Sequence, residues 1–270
     1  GIILMMARSL SNTDKPFGTM RNAAYNLGIF LLPAGLTLLQ GELGSVLVMC
    51  VIFYVMLYFA DTEPWVLITI LVLAVVGIGA ILGYMMVSGS ESYRLKRILS
   101  FLDPQAYYNS AGYQILNSQL AIGSGGKTGI GTFVVGSLSQ LNYVPEDWTD
   151  FIFSAICEEL GILYGICLLL ITLSCFLISC RIAMQVGDRF YRLIVFGIGI
   201  MYLFQIFLTV GGGMNLIPLT GVTLPFLSYG GSSCMTTMIM FFLIQGIYIR
   251  LQQRGGTANV IGKTEKEAQS

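Results

Sequence analysis

Lysine, arginine, aspartate and glutamate are missing from five long stretches of this 270-residue chain: residues 22–41, 43–60, 64–90, 160–180 and 193–249. A helix that crosses a bilayer needs about 20 apolar residues, and a charge at its centre costs about 2.5–3.5 kcal/mol. Charge gaps of this length therefore mark helices that sit in lipid. The longest gap is enough for two spans joined by the Gly/Pro/Ser-rich stretch 211–233. Six full helices are predicted, near 22–39, 43–60, 64–86, 153–180, 191–210 and 234–249, which makes the chain an all-α polytopic membrane protein. Long apolar runs exclude a transmembrane barrel, whose strands alternate over segments of roughly 10 residues. Residues 104–126 are also charge-free, but Gln105, Asn109, Gln114, Asn117, Ser118 and Gln119 interrupt them, and they read as extramembrane or re-entrant.

The remaining charges set an orientation, because Lys and Arg collect on the cytoplasmic side. Arg8, Lys15, Arg21, Arg181, Arg189, Arg192, Arg250, Arg254, Lys263 and Lys266 fall on one side of the six spans, against Arg94, Lys96, Arg97 and Lys127 on the other. The C-terminus is then cytoplasmic and the loop 87–150 faces outward. The short inner turn Asp61-Thr62-Glu63 is acidic, but acids weigh little in this rule. Gly1 to Ala7 is an apolar stub too short to span, and it reads as the end of a helix whose start precedes Gly1. It has neither the basic flank nor the cleavage site of a signal peptide. Two units are expected, a membrane domain over 1–252 and a polar, disordered tail over 253–270.

Composition narrows the chemistry. The chain has no histidine, so Ser-His-Asp triads, Cys-His dyads and histidine metal sites are excluded. Its six cysteines lie in apolar stretches without a CxxC pair and read as buried small hydrophobes. Fourteen basic residues balance fourteen acidic ones, so nothing suggests a nucleic-acid partner. Carboxylates, amines, amides, hydroxyls or a recruited metal must carry any reaction.

The outer loop is long enough to be functional, and its tyrosines and aliphatic residues suit packing on helix ends. Arg94, Lys96 and Arg97 cluster near its start, and Glu146, Asp147 and Asp150 near its end. Such a pairing suits phosphates and protons, although a basic cluster also meets lipid headgroups. The stretch 123–131 (GSGGKTGIG) resembles a phosphate loop but misses its spacing, since Ala121 stands where the leading glycine belongs. A tight or mobile hairpin is expected there. At the loop's end, Thr149 or Asp150 is placed to cap the helix beginning near Phe151, with Trp148 as an interfacial anchor. Asp150 is equally placed as a general base. Glu158 and Glu159 lie further along that helix, where an intramembrane acid is either functional or hydrogen-bonded to a neighbour. In the last outer loop, two prolines and several glycines exclude a regular helix, and broken segments of this kind often line cavities.

That last loop, PLTGVTLPFLSYGGSS over 218–233, resembles the signature of the SEDS family (shape, elongation, division and sporulation; RodA/FtsW/SpoVE-type proteins). The blocks YRLKRILSFLDP, GYQILNSQLAIGSGG and SQLNYVPEDWTDFIFSAICEELG follow the family's large outer loop in the same order, and the resemblance extends to about Gln252. It implies a fold of ten transmembrane helices in the bacterial cytoplasmic membrane. The implied activity is a peptidoglycan glycosyltransferase that polymerises lipid II and works with a class B penicillin-binding protein. The family's essential aspartate matches Asp150, whereas its usual histidine before the Thr-Asp pair is Trp148 here. About three further helices are implied before Gly1, including a Glu and a Lys of the cavity, so these 270 residues alone are expected to lack part of the site.

For such a reaction Asp150 is the expected catalytic base and Arg94 and Arg97 the cations for the leaving diphosphate. Gln114, Asn117, Ser118, Glu146, Ser228 and Ser232 are the candidate substrate contacts. Four outer cations are few for a diphosphate, so a divalent cation, Mg²⁺ or Mn²⁺, is expected to bind mainly through substrate oxygens. Two other readings are a lipid II flippase, using Glu158, Glu159 and Gln205 as a polar path, and a non-catalytic scaffold that activates a partner synthase.

Overall fold

The computed structural model describes residues 1–12, 20–60, 62–87, 93–109, 111–132, 137–139, 141, 143–144 and 146–268, with side chains left outside the description at 20–21, 78, 80–82, 84–87, 93–96, 98, 111 and 254–268. Lys15, Asp61, Glu91 and the side chains of Arg94 and Lys96 therefore lie outside the described residues.

Ten helices follow in order: α1 (Ile2–Ser11), α2 (Met20–Gln40), α3 (Leu43–Phe59), α4 (Pro64–Val87), α5 (Tyr93–Leu102), α6 (Ala111–Ser124), α7 (Ile152–Leu160), α8 (Ile162–Gln185), α9 (Arg189–Gly213) and α10 (Gly231–Ala268). Stretches of α2, α8, α9 and α10 are long and apolar enough to cross a membrane, the last over Gly231–Gln253. The chain is an all-helical, multi-pass membrane protein. Helix α3 is apolar but shorter, as is the described stretch Pro64–Gly77 of α4. The remainder of α10 is polar and is helical to Ala268, whereas the sequence suggests a disordered tail there.

Helix α9 is the buried axis, packed against α8, α3 and α1. Its glycines allow close approach: a Cβ at Gly197 would lie 2.8 Å from Ile3 Cγ2 and 3.3 Å from Met56 Sδ. Without a hydrophobic drive between helices in lipid, such small residues let backbones meet and van der Waals contact accumulate. Met6, Leu10, Phe53, Met56, Leu57, Leu193 and Val195 fill the space around them. The stub expected at the N-terminus is a helix to Ser11 and buries Met6, Ala7 and Leu10. By contrast, Ile68, Leu71, Val72, Leu73, Val75 and Val76 of α4 stay exposed, as lipid-facing side chains do.

The helix predicted over 153–180 is in fact two helices. Gly161, at φ 87° and ψ 162°, ends α7 and begins α8. That backbone region is essentially reserved for glycine. A break within an apolar run strands carbonyls and amides, each costing several kcal/mol if left unpaired in lipid. The glycine-rich segment satisfies them. Ile130 N–H donates to Glu158 O and Gly131 N–H to Glu159 O, both at 3.0 Å, while Ile162 N–H donates to Gly126 O at 3.0 Å and Leu163 N–H to Lys127 O at 3.4 Å. Methyl groups at Gly125, Gly129 or Gly161 would run into the opposing backbone. The segment 125–131 is thus an ordered strap across the α7–α8 break rather than a mobile hairpin.

A test follows from this geometry. Gly161→Ala is expected to cost about 1–3 kcal/mol from backbone conformation alone, and more from the clash with the strap. It should lower the thermal unfolding midpoint in detergent, whereas Gly246→Ala, which has open space around it, should not. Equal midpoints for the two variants would show that the break does not depend on this glycine.

Candidate active site

Three segments converge at the end of α9 that carries Gly213. The first is α5, which brings Arg97. The second is the turn 146–151, which leads into α7 and carries Asp150. The third is the loop 214–230 between α9 and α10.

Glu146 shapes the turn by adopting a left-handed φ of 55°. Its carbonyl accepts from Thr149 N–H at 3.1 Å and from Phe151 N–H at 3.2 Å, and its carboxylate accepts from the Thr149 hydroxyl at 3.1 Å. These bonds delay the helix. The N-cap position of α7 is Phe151, with no side-chain cap, so neither Thr149 nor Asp150 caps it, contrary to the sequence expectation. Among the described residues the Asp150 carboxylate takes no hydrogen bond, and it is half-buried.

The loop 214–230 is bolted to this turn at two adjacent points. Ser228 Oγ donates to Thr149 O at 2.6 Å while accepting from Leu224 N–H at 2.8 Å, and Tyr229 N–H donates to Trp148 O at 2.8 Å. Further back, Thr209 Oγ1 of α9 donates to Val222 O at 2.7 Å. The start of α3 closes on the loop, where a Cβ at Gly44 would lie 2.6 Å from both Thr220 O and Val222 Cγ2.

Gly221 lies close to both the Asp150 carboxylate and the Arg97 guanidinium. It has a φ of 72°, and a Cβ built there would lie 3.7 Å from Asp150 Oδ2 and 3.8 Å from Arg97 Nη1. Arg97 Nη1 also donates to Leu219 O at 3.4 Å, which steers the guanidinium towards the loop. Burial pushes the Asp150 carboxyl above the ordinary carboxylate range; Arg97 pulls it down and Glu146 adds to the rise. Burial likewise raises Asp147. Burial and the nearby cation thus act in opposite directions on this acid, and burial has the larger effect.

The other candidates separate into lining and framework. Asn117 is buried and donates to Tyr143 O at 2.8 Å. Ser118 is fully buried, 2.6 Å from Ser154 Oγ and donating to Gly213 O at 2.8 Å. These two, with Ser228, hold α6, α7, α9 and the loops together. Gln114 is half-buried, and Glu146 and Ser232 are exposed. Arg94 lies on α5 with its side chain outside the described residues. The Trp148 side chain is 58% exposed, so the contact at this position is made by its backbone.

Glu158 is 1% exposed. Its carboxylate accepts from Leu138 N–H at 2.6 Å, Ser139 N–H at 3.1 Å and Ser139 Oγ at 2.6 Å. This acid anchors residues 138 and 139, between α6 and α7. Sequence reasoning missed Gly221 and Thr220, whose buried hydroxyl has no partner among the described residues. The signal for both was the Thr-Gly pair inside the last loop.

Residues 1–253 match the family profile FtsW/RodA/SpoVE, described as "Cell cycle protein". A protein of Aliivibrio salmonicida (strain LFI1238) named "Probable peptidoglycan glycosyltransferase FtsW" is 35% identical over 236 residues, 86% of this chain and 56% of that protein. "Peptidoglycan glycosyltransferase MrdB" of Escherichia coli (strain K12) is 31% identical over 245 residues, 91% of this chain and 65% of that protein. The chain thus spans between about half and two thirds of the length of these curated relatives. Among solved structures, a chain from "Structural coordination of polymerization and crosslinking by a peptidoglycan synthase complex" aligns with a TM-score of 0.74 at 26% identity, over 94% of this chain and 68% of that one. With the motif blocks, the helical fold and the profile in agreement over nearly its whole length, this chain belongs to the FtsW/RodA/SpoVE family of cell cycle proteins.

Proposed function

We propose that this chain forms the catalytic portion of a peptidoglycan glycosyltransferase that polymerises lipid II at the outer face of the bacterial cytoplasmic membrane. The observation that carries the reading is the half-buried Asp150 carboxylate, without a hydrogen bond among the described residues and set beside Arg97 at Gly221. The names of the relatives support it. In the reaction, the acceptor's GlcNAc 4-hydroxyl attacks the donor's MurNAc anomeric carbon. The bond from that carbon to the diphosphate oxygen breaks, the hydroxyl proton passes to Asp150, and undecaprenyl diphosphate leaves with its charge met by Arg97 and Arg94. Glu158 does not serve a flippase path well, because amide and hydroxyl donors already occupy its carboxylate.

The membrane arrangement belongs to the same proposal: six spans, with the C-terminus cytoplasmic and 87–150 outside. A class B penicillin-binding protein is the proposed partner, a reading supported by the likeness to a chain of a peptidoglycan synthase complex. Among the described residues no three carboxylates or thiols gather as a metal site, so these side chains do not fit a resident ion. A divalent cation enters only as a counter-ion carried on the substrate's diphosphate oxygens, and no step is assigned to it.

Three outcomes are expected in the whole, polymerising protein. Asp150→Asn should lower the polymerisation rate from lipid II by roughly 10²- to 10⁴-fold while folding is kept, since no cap is lost. Glu146→Gln and Asp147→Asn should cost much less, and near-normal rates in Asp150→Asn would remove the base. The pH profile gives a second test. A base must be deprotonated, so the acid limb of kcat/KM should lie above the ordinary carboxylate range. Arg97→Gln, by removing the charge that lowers Asp150, should move that limb up, and Glu146→Gln should move it down. Shifts in the opposite senses would assign the limb to another group. Finally, chelation should abolish polymerisation and Mg²⁺ or Mn²⁺ restore it; full activity in excess chelator would exclude the counter-ion.

A further inference from the structure

At the other end of α9, about 37 Å away by helix rise, the ends of α3 and α8 and the starts of α4 and α9 enclose an open pocket of about 590 Å³. Tyr58, Phe59, Leu67 and Phe196 form its apolar walls, and Thr62 and Arg192 supply its polar atoms. The Phe59 and Phe196 rings stack at 4.0 Å and an interplanar angle of 10°, giving a rigid floor.

Neither polar group has a partner among the described residues. The Thr62 hydroxyl is buried without a hydrogen bond, in a side chain only 8% exposed. The half-buried Arg192 guanidinium has no hydrogen-bond or ion-pair partner among the described residues. Among the described residues, the nearby acids are engaged elsewhere. Asp188, one turn before Arg192, caps α9 by accepting from Phe190 N–H at 3.0 Å, and Glu63 accepts from Trp65 Nε1 at 2.5 Å. Leaving a buried hydroxyl unpaired is costly, and a guanidinium fork is shaped for phosphate oxygens. The rim is apolar and open to the side, with Met184 72% and Tyr58 62% exposed.

We propose that this pocket binds the phosphate of an anionic phospholipid, with Arg192 and Thr62 holding the headgroup and the acyl chains leaving across Met184 and Tyr58. Aromatic and aliphatic walls around a single cation suit an amphiphile, whereas a free anion would leave those walls facing water.

Titration of the detergent-purified full-length protein with dioctanoyl-phosphatidylglycerol tests this, with the apparent Kd read from the rise in unfolding midpoint. Phosphatidylglycerol is expected to bind more tightly than phosphatidylcholine of the same chain length. Arg192→Gln should weaken it by about tenfold or more, as loss of a charged hydrogen bond does, and Thr62→Val by a few-fold. Arg181→Gln, an exposed cation outside the pocket, should leave it unchanged. Unaltered affinity in Arg192→Gln would overturn the proposal, as would an equal loss in Arg181→Gln. If Arg192→Gln fails to fold, wild-type affinity in Thr62→Val would overturn it instead. Midpoint rises with inorganic phosphate equal to those with phosphatidylglycerol would overturn the lipid assignment. None of these readouts depends on polymerase activity.

Discussion

A helix interrupted within a lipid-embedded bundle must find partners for the backbone groups it abandons. The α7–α8 break meets that demand with four backbone hydrogen bonds to the strap at 125–131, and the packing around α6 and α7 depends on them. Because the break is satisfied, α7 can be a short helix with its own direction. The strap leads directly from α6, so closing the break also fixes α6 beside α7, where Ser118 and Ser154 meet over the Gly213 carbonyl. Glu158, one turn from the break, then ties residues 138 and 139 to the same unit.

On this frame the acid is left exceptional. Most polar groups around it are engaged: Ser118, Asn117, Ser154, Ser228, Thr149 and Glu158 all have internal partners. Asp150 is half-buried, without a hydrogen bond among the described residues, and electrostatically coupled to Arg97. A framework that satisfies most of its polar atoms, the Thr220 hydroxyl and the Asn215 amide oxygen aside, while leaving this carboxylate available provides preorganisation, since little must rearrange when a substrate hydroxyl arrives.

The long apolar helices α2, α8, α9 and α10 were legible because charge is so costly in lipid that its absence outlines them, while Asp150 was a candidate from the family blocks and Arg97 from the basic cluster near the start of the loop 87–150. The break at Gly161 was not legible. It lies between Glu159 and a long apolar run, and a glycine in a helical pattern ordinarily costs only about 1 kcal/mol; what makes it a terminus is a strap some thirty residues earlier in the chain. The capping expectation for Thr149 and Asp150 failed for a related reason. Propensity favours both residues at an N-cap, but Glu146, in a left-handed conformation, closes a turn that moves the helix start to Phe151. Gly221 was hidden because its significance lies in two side chains from other segments.

The paired bonds from Ser228 and Tyr229 to the carbonyls of Thr149 and Trp148 couple two segments separated by some eighty residues in sequence. Two adjacent attachment points resist rotation as well as separation, so the turn bearing Asp150 and the end of the last loop behave mechanically as one piece. That loop runs straight into α10, the longest helix. A tilt or shift at the head of α10 would therefore pull on the turn that carries Asp150, and because the link uses a backbone oxygen of residue 148, it does not depend on the Trp148 side chain.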